Sequence, residues 1–188
     1  MTLPLFTIGH SNRSLEEFVE LLQEFRIEHL VDVRKVPMSR ANPQFNKDTL
    51  PQALAAYQIS YEHIAELGGL RGKAKAMPLD VNGMWTNKSF HNYADYALSE
   101  PFQAGLRRLI EEAHRRRCAI MCSEAVWWRC HRRLIADNLI ARDNAVFHIM
   151  GKGRLEPARL TQGAFVRPDR SVIYPTGNKP GSGVATLS

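Results

Sequence analysis

Between Cys118 and Arg142 the chain reads CAIMCSEAVWWRCHRRLIADNLIAR. Thiols, a carboxylate, an imidazole and guanidinium groups gather where an apolar run gives way to a basic amphipathic stretch. A thiol at Cys122, just ahead of a helix N-terminus, would feel the positive end of the helix dipole and the charges of Arg129 and Arg132. Both effects favour thiolate. Glu124 could carry a proton beside it and His131 could act as base, so Cys122, Glu124 and His131 are the candidate catalytic groups. The spacing is not that of a thiol-phosphatase loop, in which Arg follows Cys by six residues. Here Trp128 holds that place and Arg129 follows one later. A buried core Cys is the plainer reading of a thiol that ends an apolar strand.

A metal is the second chemistry these residues suggest. Cys122, Cys130 and His131 offer soft donors, and His10 or His63 could join them. Paired Cys-x-x-Cys knuckles are absent, and adjacent Cys130 and His131 are expected to diverge around a helix turn. No metal site is therefore expected. Anion binding asks least. Helix starts at Asn12–Ser14 and Arg129–His131 present free N–H groups. Arg34, Arg40, Arg71, Arg129 and Arg132 could ring one cleft and hold phosphate or carboxylate in guanidinium forks. Asp32 either joins that site or only orients Arg34. Trp127 and Trp128 are adjacent and cannot both be buried in one direction. One of them, Trp128 in our assignment, is expected to border the cleft and stack on a base or ring.

These residues need elements to position them. Leu3–Ile8 reads as a strand, and Ser14 with Glu17 forms a capping box ahead of an amphipathic helix, Ser14–Phe25. His29–Val33 is a second strand, so the first three elements form a βαβ unit with parallel strands. Lys47–Tyr57 and Ile59–Ile64 read as helix and strand. A long irregular stretch from Gly68 to about Lys88 follows, of the kind that is usually functional or mobile. Two helices come next, Ser89–Leu98 and one whose buried face is Phe102, Leu106, Leu109, Ile110 and Ala113. Cys118–Cys122 is the fourth strand, Cys130–Arg142 its helix and Ala145–Ile149 the fifth strand. Ser171–Tyr174 reads as an edge strand, and Gly181–Ser188 is expected to fray.

The expected fold is a single α/β domain, a mostly parallel sheet of about five strands with helices on both faces. Residues 1–150 carry the site, and 151–188 form a basic, loop-rich extension packing on or trailing from it. Ligands of such sheets bind beyond the carboxyl ends of the strands. His10 and Asn12, Asp32 and Arg34, His63, Cys122 and Glu124, and His148 fall at those ends.

The stretches TIGHSNRSLEEF, LVDVRKVPMSRANPQFN, ELGGLRG and MCSEAVWWRCHRRLIADNL together resemble the domain of unknown function 488 family. The resemblance runs from Thr7 to His148. The last block departs from the usual pattern, which has Ala and Pro where this chain has Ser123 and Trp127. The resemblance implies an α/β fold and marks these blocks as family signatures, while supplying no reaction, cofactor or catalytic assignment. The Asp32-Val33-Arg34 ending is also similar to rhodanese-like domains, but the loop after Cys122 is not a compact glycine-rich cradle.

Composition sets the outer limits. The chain has 188 residues, a net charge of +6 and three cysteines. That length builds a core without disulfide staples. No apolar run approaches a bilayer span, and the N-terminus lacks the pattern of an export signal. Reduced thiols and a cytoplasmic location are expected, with no membrane partner. Six basic against two acidic residues from Gly151 onward place +4 of the charge there, which favours polyanions. The leading expectation is an enzyme acting on a phosphorylated or nucleic-acid substrate, a hydrolase or transferase. His10, Asn12, Asp32, Arg34, Arg40, Arg71, Trp128, Arg129 and Arg132 would bind that substrate. The rivals are a non-catalytic nucleic-acid-binding module and a ligand- or partner-binding domain whose motifs are architectural. The partner would be an anionic small molecule or nucleic acid. Cofactor and oligomeric state stay open.

Overall fold

A computed structural model describes residues 3–177; the Gly181–Ser188 segment lies outside the described residues. The main sheet has six strands: β1 Leu5–Gly9, β2 His29–Asp32, β3 Ser60–His63, β4 Cys118–Cys122, β5 Val146–Gly151 and β6 Arg154–Pro157. Their order is β3-β2-β4-β1-β5-β6. The first five run parallel and β6 is antiparallel to β5. The α/β expectation holds, with one strand more than anticipated. The addition follows the Gly151-Lys152-Gly153 turn, where Gly153 takes φ +65°, a conformation that favours glycine. Ser171–Tyr174 does not join this sheet. Val172–Ile173 (β8) instead pairs with Phe165–Val166 (β7) as a separate ribbon, because the β5 edge is already taken by β6.

Strands β1, β2 and β4 are buried at every position, which explains why their sequences are mainly apolar and do not alternate, with Thr7, His29 and Asp32 the polar exceptions. Helices α1 (Leu15–Glu24) and α2 (Leu50–Ala55) cover one face, packing Phe18, Leu22, Leu50 and Leu54 against Phe6, Ile8 and Leu30. Helices α3 (Lys88–Ala97), α4 (Glu100–Arg115) and α5 (Arg132–Ile140) cover the other, with Tyr93, Phe102, Leu106, Leu134 and Leu139 over Val31 and Ile120. The capping box forms as expected: Ser14 Oγ accepts from Glu17 N–H (3.1 Å) and Glu17 Oε2 accepts from Ser14 N–H (3.0 Å).

Two helices are shorter than their sequence patterns. α2 starts at Leu50 because Lys47–Thr49 forms a turn in which the Asn46 carbonyl accepts from the Thr49 and Leu50 N–H groups (3.0 and 2.9 Å). α5 starts at Arg132 because Trp127–Arg129 forms its own 3₁₀ turn. The 68–87 stretch is irregular, as anticipated, yet tied down. Asn82 is buried, donating to Asp95 Oδ1 (2.8 Å) and accepting from Tyr174 N–H (3.0 Å). No helix among the described residues is long and apolar enough to cross a membrane.

The topology brings three chain segments to one place. β4 lies between β1 and β2, with Gly9 opposite Cys122 and Asp32 opposite Met121. The loop after β4 then folds back across the end of β1. Gly9 permits this, since a Cβ there would collide with the Glu124 carbonyl oxygen.

Candidate functional site

Beyond the carboxyl ends of β1, β2 and β4 lie two adjoining hollows that share Arg34, Val36, Ser123 and Glu124. One, of about 310 Å³, has Cys122, Cys130, His131 and Tyr93 in its wall, with Lys35 and Arg129 also lining it. The other, of about 460 Å³, opens over His10, Asn12 and Ser39.

Cys122 and Cys130 are both buried, and their Sγ atoms stand 2.7 Å apart. Cys130 sits immediately before α5, and its sulfur accepts the Arg132 N–H at the helix start (3.5 Å) and the Arg132 Nε–H (3.4 Å). Cys122 accepts the Glu124 N–H (3.3 Å). Burial opposes ionisation of Cys130, but the Cys122 hydrogen bond, His131 and Arg132 outweigh it and hold its pKa well below the thiol range. Cys122 moves the other way, raised by its hydrogen bond to Cys130 and by burial. Of the two thiols, Cys130 is the one its neighbours favour as thiolate. Cys118, at the opposite end of β4, is pushed up to about 12 by burial and is a core residue.

His131 donates from Nε2 to the Val33 carbonyl (2.8 Å), which turns Nδ1 toward Cys130 Sγ, 3.6 Å away. The expectation that Cys130 and His131 diverge is thus overturned. The residues precede α5 rather than sitting within it, and the link to Val33 turns the ring back toward the thiols. Cys122, Cys130 and His131 place three ligand atoms within 4.8 Å of one another. The arrangement can act as a thiolate paired with a base, or as a set of soft ligands. Glu124 is exposed at the mouth of both hollows.

The remaining predicted residues divide sharply. Asp32 has no exposed surface, and it grips Arg34 through Nε (2.9 Å) and Nη2 (2.5 Å) while accepting from Tyr61 Oη (2.7 Å). Of its two possible roles, orienting Arg34 is the one its position allows. Arg34 also donates to the Phe45 carbonyl (2.6 Å) and to His10 Nε2 (3.3 Å). His10 is buried and stacks on Phe45 with ring centroids 4.3 Å apart. Its pKa falls to about 4, chiefly through burial and also through Arg34, so the ring is neutral at pH 7. Asn12 is exposed on the second hollow.

Arg132 is 1% exposed; it donates to the Glu124 carbonyl (2.6 Å) and to Thr7 Oγ1 (3.4 Å). It supports the thiols from behind and does not reach the cavity surface. Arg40 and Arg71 line neither hollow. Arg71 is a strut, bonded to the Gly68 and Ala65 carbonyls and lying over the Tyr96 ring. Nor does Trp128 line either hollow; it points outward, while Trp127 turns in and stacks on His148 at 4.5 Å. The two adjacent indoles still touch edge to face, with centroids 5.6 Å apart, and only Trp127 reaches His148.

Lys35, Gly69 and Tyr93 belong to the cavity and were not anticipated. Lys35 follows the Asp32-Val33-Arg34 block directly, and Gly69 lies in the quoted ELGGLRG stretch, so position was the available signal. Tyr93 follows a helical apolar spacing that reads as core. It is core, donating to the Leu67 carbonyl (2.6 Å), but its ring also edges against His131 at 5.1 Å.

The sequence model of a domain of unknown function, DUF488, matches residues 14–139. That span is more than half of the chain and runs from the capping serine of α1 almost to the end of α5. The chain belongs to the DUF488 family. No curated protein and no solved structure matches it. The DUF488 match takes in Asp32, Arg34, Lys35, Gly69, Cys122, Glu124, Cys130, His131 and Arg132, the groups that build the larger part of this corner; His10 and Asn12 fall just before it.

Proposed function

We propose that this DUF488 protein is an enzyme, a hydrolase or transferase, acting on a phosphorylated or nucleic-acid substrate in the cleft over β1, β2 and β4. The observation that carries the reading is the meeting of two thiols, an imidazole and a solvent-reachable carboxylate in one cavity wall with exposed cations around it. Ordinary core needs none of these groups, and a plain anion site has no use for the thiols. Lys35 and Arg129 would hold the substrate's phosphate from the rim. The reacting group comes from the Cys122–Cys130–His131 corner, and Glu124 carries the proton. Arg34 and Arg132 are positioning residues, each satisfied from within the protein.

Turnover of a panel of nucleotides, sugar phosphates and oligonucleotides tests this. Glu124→Gln and His131→Ala are expected to abolish activity with the fold intact, and Arg129→Ala to raise KM by roughly 10–100-fold, the worth of one charge-assisted hydrogen bond. Unchanged turnover in both Glu124→Gln and His131→Ala would end the reading. Oligonucleotide binding that falls steeply with salt, without turnover and indifferent to Glu124→Gln, would favour a non-catalytic nucleic-acid-binding module instead.

A further inference from the structure

We infer that Cys122, Cys130 and His131 are the three protein ligands of a soft divalent cation, zinc being the first candidate, with the fourth position open to the cavity. This deepens the catalytic reading of the same corner and rests on it for the use of that open position, though not for the binding itself.

The geometry supports it at several independent points. All three donor atoms lie within 4.8 Å of one another. The Cys130 Sγ to His131 Nδ1 distance of 3.6 Å is close to what two tetrahedral ligands at about 2.3 and 2.0–2.1 Å from zinc would span. Both cysteines are free, with their sulfurs 2.7 Å apart. They would separate by about 1 Å to embrace a metal at zinc–sulfur distances, a small side-chain rotation.

His131 is prepared as metal-binding histidines are. Its Nε2–H is engaged by the Val33 carbonyl, so Nδ1 is the nitrogen that faces the sulfurs and would coordinate. Room for Nδ1 is kept by Gly69, where a Cβ would stand 2.9 Å from that nitrogen. Each sulfur accepts a backbone N–H, from Glu124 and from Arg132, as thiolate ligands commonly do. Among the described residues Arg132 is buried without a carboxylate partner, so negative charge is called for on the sulfurs beside it. A thiolate–base pair alone would need only one thiol. Two sulfurs and an imidazole with one side open match the three-ligand pattern of catalytic zinc, and they disfavour magnesium or calcium, which take oxygen.

Metal binding to the full-length reduced protein tests this without reference to activity. Elemental analysis after dialysis against zinc should give one ion per chain. Cobalt should produce the intense visible bands of a tetrahedral site with sulfur-to-cobalt charge transfer. Cys122→Ser and Cys130→Ser should each weaken affinity by at least about 100-fold and halve the charge transfer. Should either fail to fold, Gly69→Ala, which crowds Nδ1 without touching a ligand, should still weaken affinity roughly 10–100-fold at unchanged melting temperature. No stoichiometric zinc and no cobalt charge transfer, or full affinity in both serine variants, would overturn the inference. A metal bound as described with no turnover of any phosphorylated compound leaves the site standing and ends the catalytic reading. Turnover persisting in chelator-stripped protein keeps the catalytic reading and overturns the use of the open metal position in it.

Discussion

Two arginines are buried within one neighbourhood of this molecule, and they are neutralised in opposite ways. Arg34, at the end of β2, is clamped by Asp32 through two guanidinium nitrogens, and Tyr61 closes the remaining lone pair of that carboxylate. Arg132, at the start of α5, has the Glu124 carbonyl, the Thr7 hydroxyl and the Cys130 sulfur, but no carboxylate among the described residues. A guanidinium cannot shed its proton, and an unpaired buried charge is costly. The first pair is therefore complete in itself and serves architecture. The second is complete only when its sulfur neighbours carry charge, which links folding of this corner to its chemistry.

The contrast can be broken at the closed pair first. Asp32→Ala strands Arg34 as a buried cation and is expected to cost about 3–5 kcal/mol in denaturant unfolding; a loss below about 1 kcal/mol would show that the clamp is not structural. Acid attacks both sides through their histidines. His10 beside Arg34 and His148, bonded to Thr7 beside Arg132, have pKa values lowered to about 4 from 6.5, chiefly by burial. Unfolded chains bind those protons more readily, so stability is full above pH 6.5 and falls as pH drops towards 4, by about 2–3 kcal/mol for each ring. His148→Gln should halve that slope in pH-resolved melts.

Arg132→Met sharpens the comparison, because a thiolate left alone can take a proton where Arg34 could not lose one. Its cost should be only about 1–2 kcal/mol by chemical denaturation, and a loss matching that of Asp32→Ala would erase the distinction. Smallest of all, Glu124→Gln should change stability by less than about 0.5 kcal/mol, since Arg132 holds the Glu124 backbone oxygen and not its carboxylate.

Much of this was legible in the sequence, and what was not has physical causes. Mainly apolar stretches at Leu3–Ile8 and Cys118–Cys122 announced strands, their alternation with helices announced a sheet covered on both faces, and Ser14 with Glu17 announced a helix start. Polar residues at the strand ends marked the edge of the sheet where His10, Arg34, Cys122 and Glu124 line the two hollows. Strand β6 was hidden because an exposed antiparallel edge carries no buried pattern; only its Gly-Lys-Gly turn marked it. Within the corner the residue types were visible but their directions were not. That His131 turns back toward Cys130 depends on one hydrogen bond to Val33, the setting of Trp127 and Trp128 depends on one 3₁₀ turn, and Arg71 is held aside by the Gly68 and Ala65 carbonyls. Spacing rules for helices and strands do not reach such features.

The central claim is that Arg132 and His131 keep Cys130 charged in a cavity that small molecules can enter. The pH dependence of Cys130 alkylation by iodoacetamide, read residue by residue by mass spectrometry on chelator-stripped protein and on Arg132→Met, tests it most directly. Wild-type Cys130 should react at a rate nearly flat between about pH 6 and 8 and ahead of Cys122, whereas in Arg132→Met the rate should climb with pH as for an ordinary thiol. Identical ordinary profiles in the two proteins, or Cys122 reacting first, would contradict it.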